Sequence, residues 1–273
     1  MKRKLLFGLT GAAALGLASQ LMAAEITIQD NDPRPYGFGY SGGNLGVADE
    51  DNETEVGTVN SQMWDLEAFS IVGHTLYMVG GWNFSTGDTG SGATGYKPGD
   101  LFIKVGGTAP SGDPTTRGYG TTPNSTYGYS YAVILNNLAA SASVQTLDGN
   151  STLNTVVYDD FVANPWTFAS DETGTGSTPI TYTTGQTDAQ MLANYGLTLY
   201  GGLHNVVTVD LSFLGTVAAN TPVWFSYTME CGNDSLKGQY VGGFRTPDGG
   251  ATLMLLGLGL SALGVVSRKV RKV

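Results

Sequence analysis

The 273-residue sequence predicts an all-β protein: a two-sheet β-sandwich of jelly-roll type, flanked by a helix at each end of the chain. Three observations predict it. Short runs alternate apolar and polar residues with a period of two, as strands with one buried face do. Forty glycines separate those runs without a Gly-X-Y period, so they mark turns rather than collagen. Charged residues make up only 13 % and aromatics 10 %, a composition that builds a core rather than a disordered chain.

The elements follow in order. Glu25–Gln29 (EITIQ) alternates and starts a strand. Residues 31–60 are glycine-rich and acidic, without periodicity. Met63–Val72 and Thr75–Phe84 flank Gly73-His74, two strand-like runs around a two-residue glycine turn, which reads as a hairpin. Asp100–Gly107 puts Leu101, Ile103 and Val105 on one face, and Tyr127–Leu135 does the same with Tyr127, Tyr129, Tyr131, Val133 and Leu135. Ser141–Leu147 and Thr155–Phe161 are weaker strands. Asp188–Gly196 is the one short helix, with Asp188 near its start and Gly196 as its stop. Two strands close the series, with Val207, Val209 and Leu211 on one face of the first and Val223, Phe225, Tyr227 and Met229 on one face of the second. No linker divides the region, and no fixed-period repeat occurs.

The net charge of −10 conceals a sharper division. Lys2, Arg3 and Lys4 open the chain and Arg268, Lys269, Arg271 and Lys272 end it, leaving 6 basic against 22 acidic residues between Glu25 and Thr246. So acidic a surface excludes a nucleic-acid partner, since phosphate binding needs basic side chains. Cys231 is the sole cysteine, so no internal disulfide staples the fold.

Both ends read as addresses. Residues 1–24 carry a basic start, an apolar stretch and a run of small residues, the plan of a secretory signal peptide. Residues 25–245 form the ectodomain, and residues 246–273 the third part. There, Ala251–Val266 is apolar for 16 residues, short of the roughly 20 that span a bilayer comfortably, and the basic cluster follows at once. That arrangement predicts a transmembrane helix whose basic end is held in the cytoplasm.

Thr246-Pro247-Asp248-Gly249-Gly250, the apolar run, and the tail of Arg268, Lys269, Arg271 and Lys272 together resemble the C-terminal sorting signals of the PEP-CTERM class, specifically its VPDSG-like variant. The pattern departs at Thr246, where the family has valine, and at Gly249, where serine is common. The resemblance covers the last 28 residues. It implies export across the inner membrane of a Gram-negative bacterium, a transient membrane anchor, processing by an exosortase, and delivery to the cell surface or extracellular matrix. A looser resemblance spans Trp64–Asp234: WDLEAFSIVGHTLYMVGG, GDLFIKVGG, YGYSYAVIL and YTMECGND are similar to the ectodomains of exosortase-sorted surface proteins, arranged like carbohydrate-binding family 9 and DOMON-like sandwiches. It supports the fold and does not by itself indicate sugar binding.

Residues with chemistry of their own also have plainer roles open to them. Gly39-Tyr40-Ser41-Gly42-Gly43 matches a nucleophile elbow but lacks the preceding strand and following helix that such a turn needs. His74, in a turn, and His204, at a strand start, are the only histidines, and both read as solvated or capping residues. Cys231 reads as a small buried apolar residue. Asp49, Asp51, Glu53 and Glu55 lie in an acidic run that could hold calcium, the one candidate cofactor, although a solvated loop is the simpler reading. Asp65 and Glu67, two apart on a strand, point to one side, toward a cation, a pairing with Lys104 or Arg117, or a catalytic pair. Trp82 is the candidate for stacking on a sugar ring, with core packing the default. Asn-x-Ser/Thr sequences begin at Asn52, Asn83, Asn124, Asn150 and Asn233. The expectation is a non-catalytic structural or adhesive surface protein, with the membrane, the export machinery, exosortase and exopolysaccharide as partners. The alternative is a carbohydrate-binding module, with or without calcium.

Overall fold

The computed structural model describes residues 23–29, 61–87, 95–110, 118–135, 140–157, 164–169, 176–232 and 234–244. Among these residues fourteen strands are present: β1 Ala24–Glu25, β2 Thr27–Gln29, β3 Leu66–Val72, β4 Thr75–Gly80, β5 Leu101–Val105, β6 Gly118–Pro123, β7 Tyr131–Ile134, β8 Ser141–Thr146, β9 Thr152–Val157, β10 Asn164–Phe168, β11 Gly176–Gln186, β12 His204–Asp210, β13 Val223–Thr228 and β14 Ser235–Tyr240. The α-helix, α1, runs Asp188–Tyr195. Eleven strands form one antiparallel sheet in the order β1-β3-β4-β12-β11-β8-β7-β5-β13-β14-β2, and β10-β9-β6 form a second, three-stranded sheet.

The large sheet curls almost into a barrel. Its two edges, β1 and β2, are consecutive pieces of one segment: β1 pairs with β3 and β2 pairs with β14. Ile26, between them, donates its N–H to the Phe69 carbonyl at 2.9 Å and accepts the Gln239 N–H at 2.8 Å. One residue thus satisfies the backbone of both edges, which would otherwise be open to pairing with another chain. The opposite corner is made by β11, whose residues 176–179 pair with β8 while residues 180–186 pair with β12. The expected pair of separate sheets is therefore one hydrogen-bonded sheet, because two corner segments carry the ladder from face to face. Among the described residues, a mostly β fold with one short α-helix stands as expected.

The alternating residues meet inside. The main core gathers Leu101 and Ile103 from β5, Val133 from β7, Val207 and Val209 from β12, and Phe225 and Tyr227 from β13. In β3, Leu66, Phe69 and Ile71 all enter this core although 66 and 69 differ in parity. A β-bulge reconciles them: the register steps from Leu66 opposite Gly80 to Ala68 opposite Val79, leaving Glu67 as the extra residue. Two smaller clusters lie outside the barrel wall. Met191 of α1, Leu197 and Leu199 cover Ala68, Val79 and Val206, while Tyr127, Tyr129, Leu147 and Leu153 cover Phe102 and Ala132.

Local sequence explains the helix and the first hairpin. Thr187 and Gln190 form a reciprocal capping box, and Gly196 takes the left-handed C-cap conformation (φ 69°) that favours glycine. Gly73 (φ 58°) and His74 link Val72 to Thr75 as the expected two-residue turn. Other expectations need correction. Residues 62–64 form a 3-10 turn, so the strand starts at Leu66 rather than Met63. Tyr127 and Tyr129 belong to a turn anchored by Asn124 and not to a strand, which begins at Tyr131. No helix among the described residues is long and apolar enough to cross a membrane, so neither flanking helix has structural support; residues 1–22 and the run 251–266 lie outside the described residues.

Candidate functional site

The most concentrated chemistry lies at the start of β12. His204 is wholly buried and held from both sides. Its Nδ1 lies 2.7 Å from a Glu67 carboxylate oxygen, and its Nε2 lies 3.0 Å from Asp188 Oδ1. The fold places each member for a local reason. Glu67 is the bulged residue of β3, turned out of the regular pleat. His204 sits beside a second irregularity, where the register against β11 shifts between Thr183 and Gln186, with Gly185 at φ 65°. Asp188 opens α1 and also accepts the Gly202 N–H at 3.0 Å. Gln62 completes the set, its Nε2 donating to Glu67 Oε1 at 2.6 Å.

Burial works against a charge on His204 and is the largest single influence, but the bonds to Glu67 and then to Asp188 together outweigh it and raise the imidazole above its ordinary value. The His204 bond, in turn, lowers the Asp188 carboxyl below its usual range. A carboxylate at each nitrogen favours the doubly protonated ring, which donates from both. A hydrolytic triad needs a ring nitrogen free to take a hydroxyl proton, and here both face carboxylates. His74, the other histidine, lies against the Phe244 ring with centroids 5.3 Å apart. His204 is thus a buried ion-pair residue and not the solvated one expected.

Two further carboxylates are buried as backbone clasps. Asp100 accepts the Leu135 N–H at 3.1 Å and the Phe168 N–H at 2.9 Å. Burial pushes its pKa up to about 7, against the pull of those two bonds. Asp234 accepts the Leu66 N–H at 2.7 Å and the Ser235 N–H at 2.6 Å, tying the start of β3 to β14. Each carboxylate joins segments distant in sequence.

The other candidates fare differently. Trp82 is 1 % exposed and packs on Trp64, centroids 5.3 Å apart, so it has no face to offer a sugar; the stacking assignment is corrected to core packing. Glu67 pairs with His204 rather than Lys104, whose Nζ donates to the Tyr127 carbonyl at 3.0 Å. Asp65 precedes the strand as the C-cap of the 3-10 turn. Cys231 packs in the main core as expected. Asn124 is buried, with its side chain bonded to Tyr129 and Asp148, and Asn83 accepts from Ser85, Thr86 and Tyr182, so both are structural, whereas Asn150 is exposed. Among the described residues, no group of three or more His, Cys, Asp or Glu is placed to hold a metal. Asp49, Asp51, Glu53, Glu55, Arg117, Asn52, Asn233, the Gly39–Gly43 elbow candidate, Thr246–Gly250 and the basic tail lie outside the described residues.

A family model for the VPDSG-CTERM motif matches residues 247–270. The chain carries a PEP-CTERM-like sorting signal. That signal implies an exported cell-surface protein processed by the sorting machinery, an exosortase. No curated protein and no solved structure matches the chain, and the likeness of residues 64–234 to carbohydrate-binding family 9 or DOMON sandwiches has no support.

Sequence reasoning passed over Trp224 and Lys237, which line a pocket on the outside of the barrel. A signal was present: Trp224 alternates with the core residues Val223 and Phe225, which places it on the outer face.

Proposed function

We propose that this chain is a structural or adhesive protein of the bacterial surface, held briefly in the inner membrane by Ala251–Val266 and released by cleavage near Pro247-Asp248. The single observation that carries this reading is the sorting motif at residues 247–270, which begins just past the last described residue of the barrel, Phe244. A large sheet with both edges stitched by residues 24–29 suits such a role, because neither edge of that sheet is left open to pair with another chain outside the cell. The non-catalytic half of the proposal is supported by His204, whose two nitrogens are both taken up by carboxylates.

The test is to follow the C-terminus in the producing bacterium. Mass spectrometry of the surface fraction should find chains lacking the tail from Arg268 to Lys272. Deletion of the exosortase, or Pro247→Ala with Asp248→Ala, should leave the full-length chain in the membrane fraction. Full-length chain at the surface, unchanged by the deletion, would overturn the proposal. A hydrolytic activity lost on His204→Gln, with the melting transition retained, would overturn its non-catalytic half.

A further inference from the structure

The two sheets end differently. Both edges of the large sheet are taken up by residues 24–29. In the three-stranded sheet, the outer side of β10 is clasped by Asp100, whose N–H donates to the Trp166 carbonyl at 2.6 Å and whose carboxylate accepts the Phe168 N–H at 2.9 Å. At the other end, β6 has β9 as its one strand neighbour among the described residues. Tyr119 is 63 % exposed, and Gly120, Thr121 and Pro123 are exposed as well. Adjacent residues of both parities thus reach water, which fits a free edge better than a strand with one wet face.

The register fixes which backbone groups of β6 face outward. Asn124 continues the pairing opposite Ser151 and donates its N–H to the Ser151 carbonyl at 2.8 Å. Thr152 turns its carbonyl the other way, to the Ala169 N–H at 2.9 Å. Antiparallel bonding alternates residue by residue, so Gly118, Gly120 and Thr122 bond β9, while Tyr119 and Thr121 aim N–H and C=O away from it. Pro123 is next in the outward series and has no N–H to offer. Two properties then choose the partner. The strand reads Gly-Tyr-Gly-Thr-Thr-Pro, without the charges that commonly guard an edge, in a chain of net −10. Its outward groups are also complementary to themselves. With a two-fold axis at Gly120, Tyr119 of one copy stands opposite Thr121 of the other, and each such pair exchanges both backbone bonds. Gly120 faces its own counterpart across a close non-hydrogen-bonded pair, with Cα atoms about 4.5 Å apart and no side chains to collide.

We propose that β6 pairs antiparallel with β6 of a second copy of this chain, joining two three-stranded sheets into one across a two-fold axis at Gly120. Assembly stops at the dimer, because the pairing consumes the free edge of both copies, and Pro123 ends the ladder. The contact is independent of the sorting signal: failure of pairing leaves sorting intact, and failure of sorting leaves the edge in place.

Sedimentation of the full chain in mild detergent, over a concentration series, should show a monomer–dimer equilibrium that tightens as salt screens the repulsion between two acidic copies. Thr121→Pro removes an outward N–H, and Gly120→Glu sets two carboxylates against each other at the axis, so each should weaken the dimer about tenfold or more. Neither removes a bond of the β9 ladder, and a Cβ at Gly120 meets Thr155 Oγ1 at an ordinary 3.5 Å, so melting temperatures should stay near wild type. Gly120→Cys should form an interchain disulfide on mild oxidation, while Ser125→Cys, exposed and beyond the strand, should not. A monomer at every concentration overturns the proposal. So does a dimer of full strength in the folded Thr121→Pro and Gly120→Glu variants, which places the contact elsewhere, the apolar tail included. Species larger than a dimer, or cross-linking no greater at 120 than at 125, overturn the two-fold register. If either variant fails to fold, the cross-link decides, and its absence at 120 overturns the proposal.

Discussion

Replacing Glu67 with glutamine is the sharpest probe of the His204 clamp. The substitution preserves shape and removes one negative charge from a pair whose side chains are 1 % and 0 % exposed. Breaking a buried pair at one partner costs about 3–5 kcal/mol. The cost here falls at the lower end, about 3 kcal/mol, because Gln62 can still bond the new amide oxygen and Asp188 still holds Nε2. For a domain of this size each kcal/mol moves the midpoint by roughly 2–4 °C, so Tm should drop by about 6–12 °C. The pH dependence carries the sign. His204 is raised above its ordinary 6.5 in the fold, so its charged form stabilises fully below that value and is lost as pH rises through the higher folded value. The deficit of Glu67→Gln should therefore be largest near pH 6 and shrink toward pH 9 in circular-dichroism melts. A deficit below about 2 °C at pH 6, or one equal at pH 6 and pH 9, would refute the charged clamp.

Other consequences can be measured with the same melts. Gly81→Ala places a Cβ 1.7 Å from the Gln62 carbonyl oxygen, so it should cost about 3 kcal/mol or more, whereas Gly176→Ala meets nothing within 4 Å and should stay within roughly 1 kcal/mol of wild type. Thr187→Ala removes the capping box of α1 and should cost about 1 kcal/mol, seen as a small drop in Tm. Asp100, raised from 3.8 to about 7, holds its proton more tightly folded than unfolded, so stability should fall as pH rises between those values; Asp100→Asn should flatten that slope, at the cost of one of its two backbone bonds.

Strands whose apolar residues alternate were legible: Leu101 and Ile103, Val207 and Val209, and Val223, Phe225 and Tyr227 all reach the core that their spacing predicts. The strand β11, GSTPITYTTGQ, is hard to read because threonines fill it and Ile180 is its one fully buried residue in the main core, with Tyr182 packed against that core. As a corner strand divided between two neighbours, it needs a backbone that changes partners more than it needs an apolar face. SLKGQY, β14, was equally silent, since Gly238 must let the Phe69 ring approach and leaves no side chain to read; a Cβ there would lie 2.9 Å from that ring.

Sequence alone determined the address and the class of fold. The sorting motif is read linearly, residue by residue, and strand alternation is a local property of side chains on a pleat. Tertiary structure decided three things that no local pattern contains. It closed the sheet, because Ile26 can serve both edges only when β3 and β14 are brought to it. It clamped His204 between two carboxylates, since Glu67 lies 137 residues away and reaches the ring through a bulge that only strand pairing creates. It exchanged the fates of two tryptophans, burying Trp82 against Trp64 and leaving Trp224 on the outer face between lysines. Burial depends on which surfaces meet, and that is settled by long-range pairing rather than by the residues on either side.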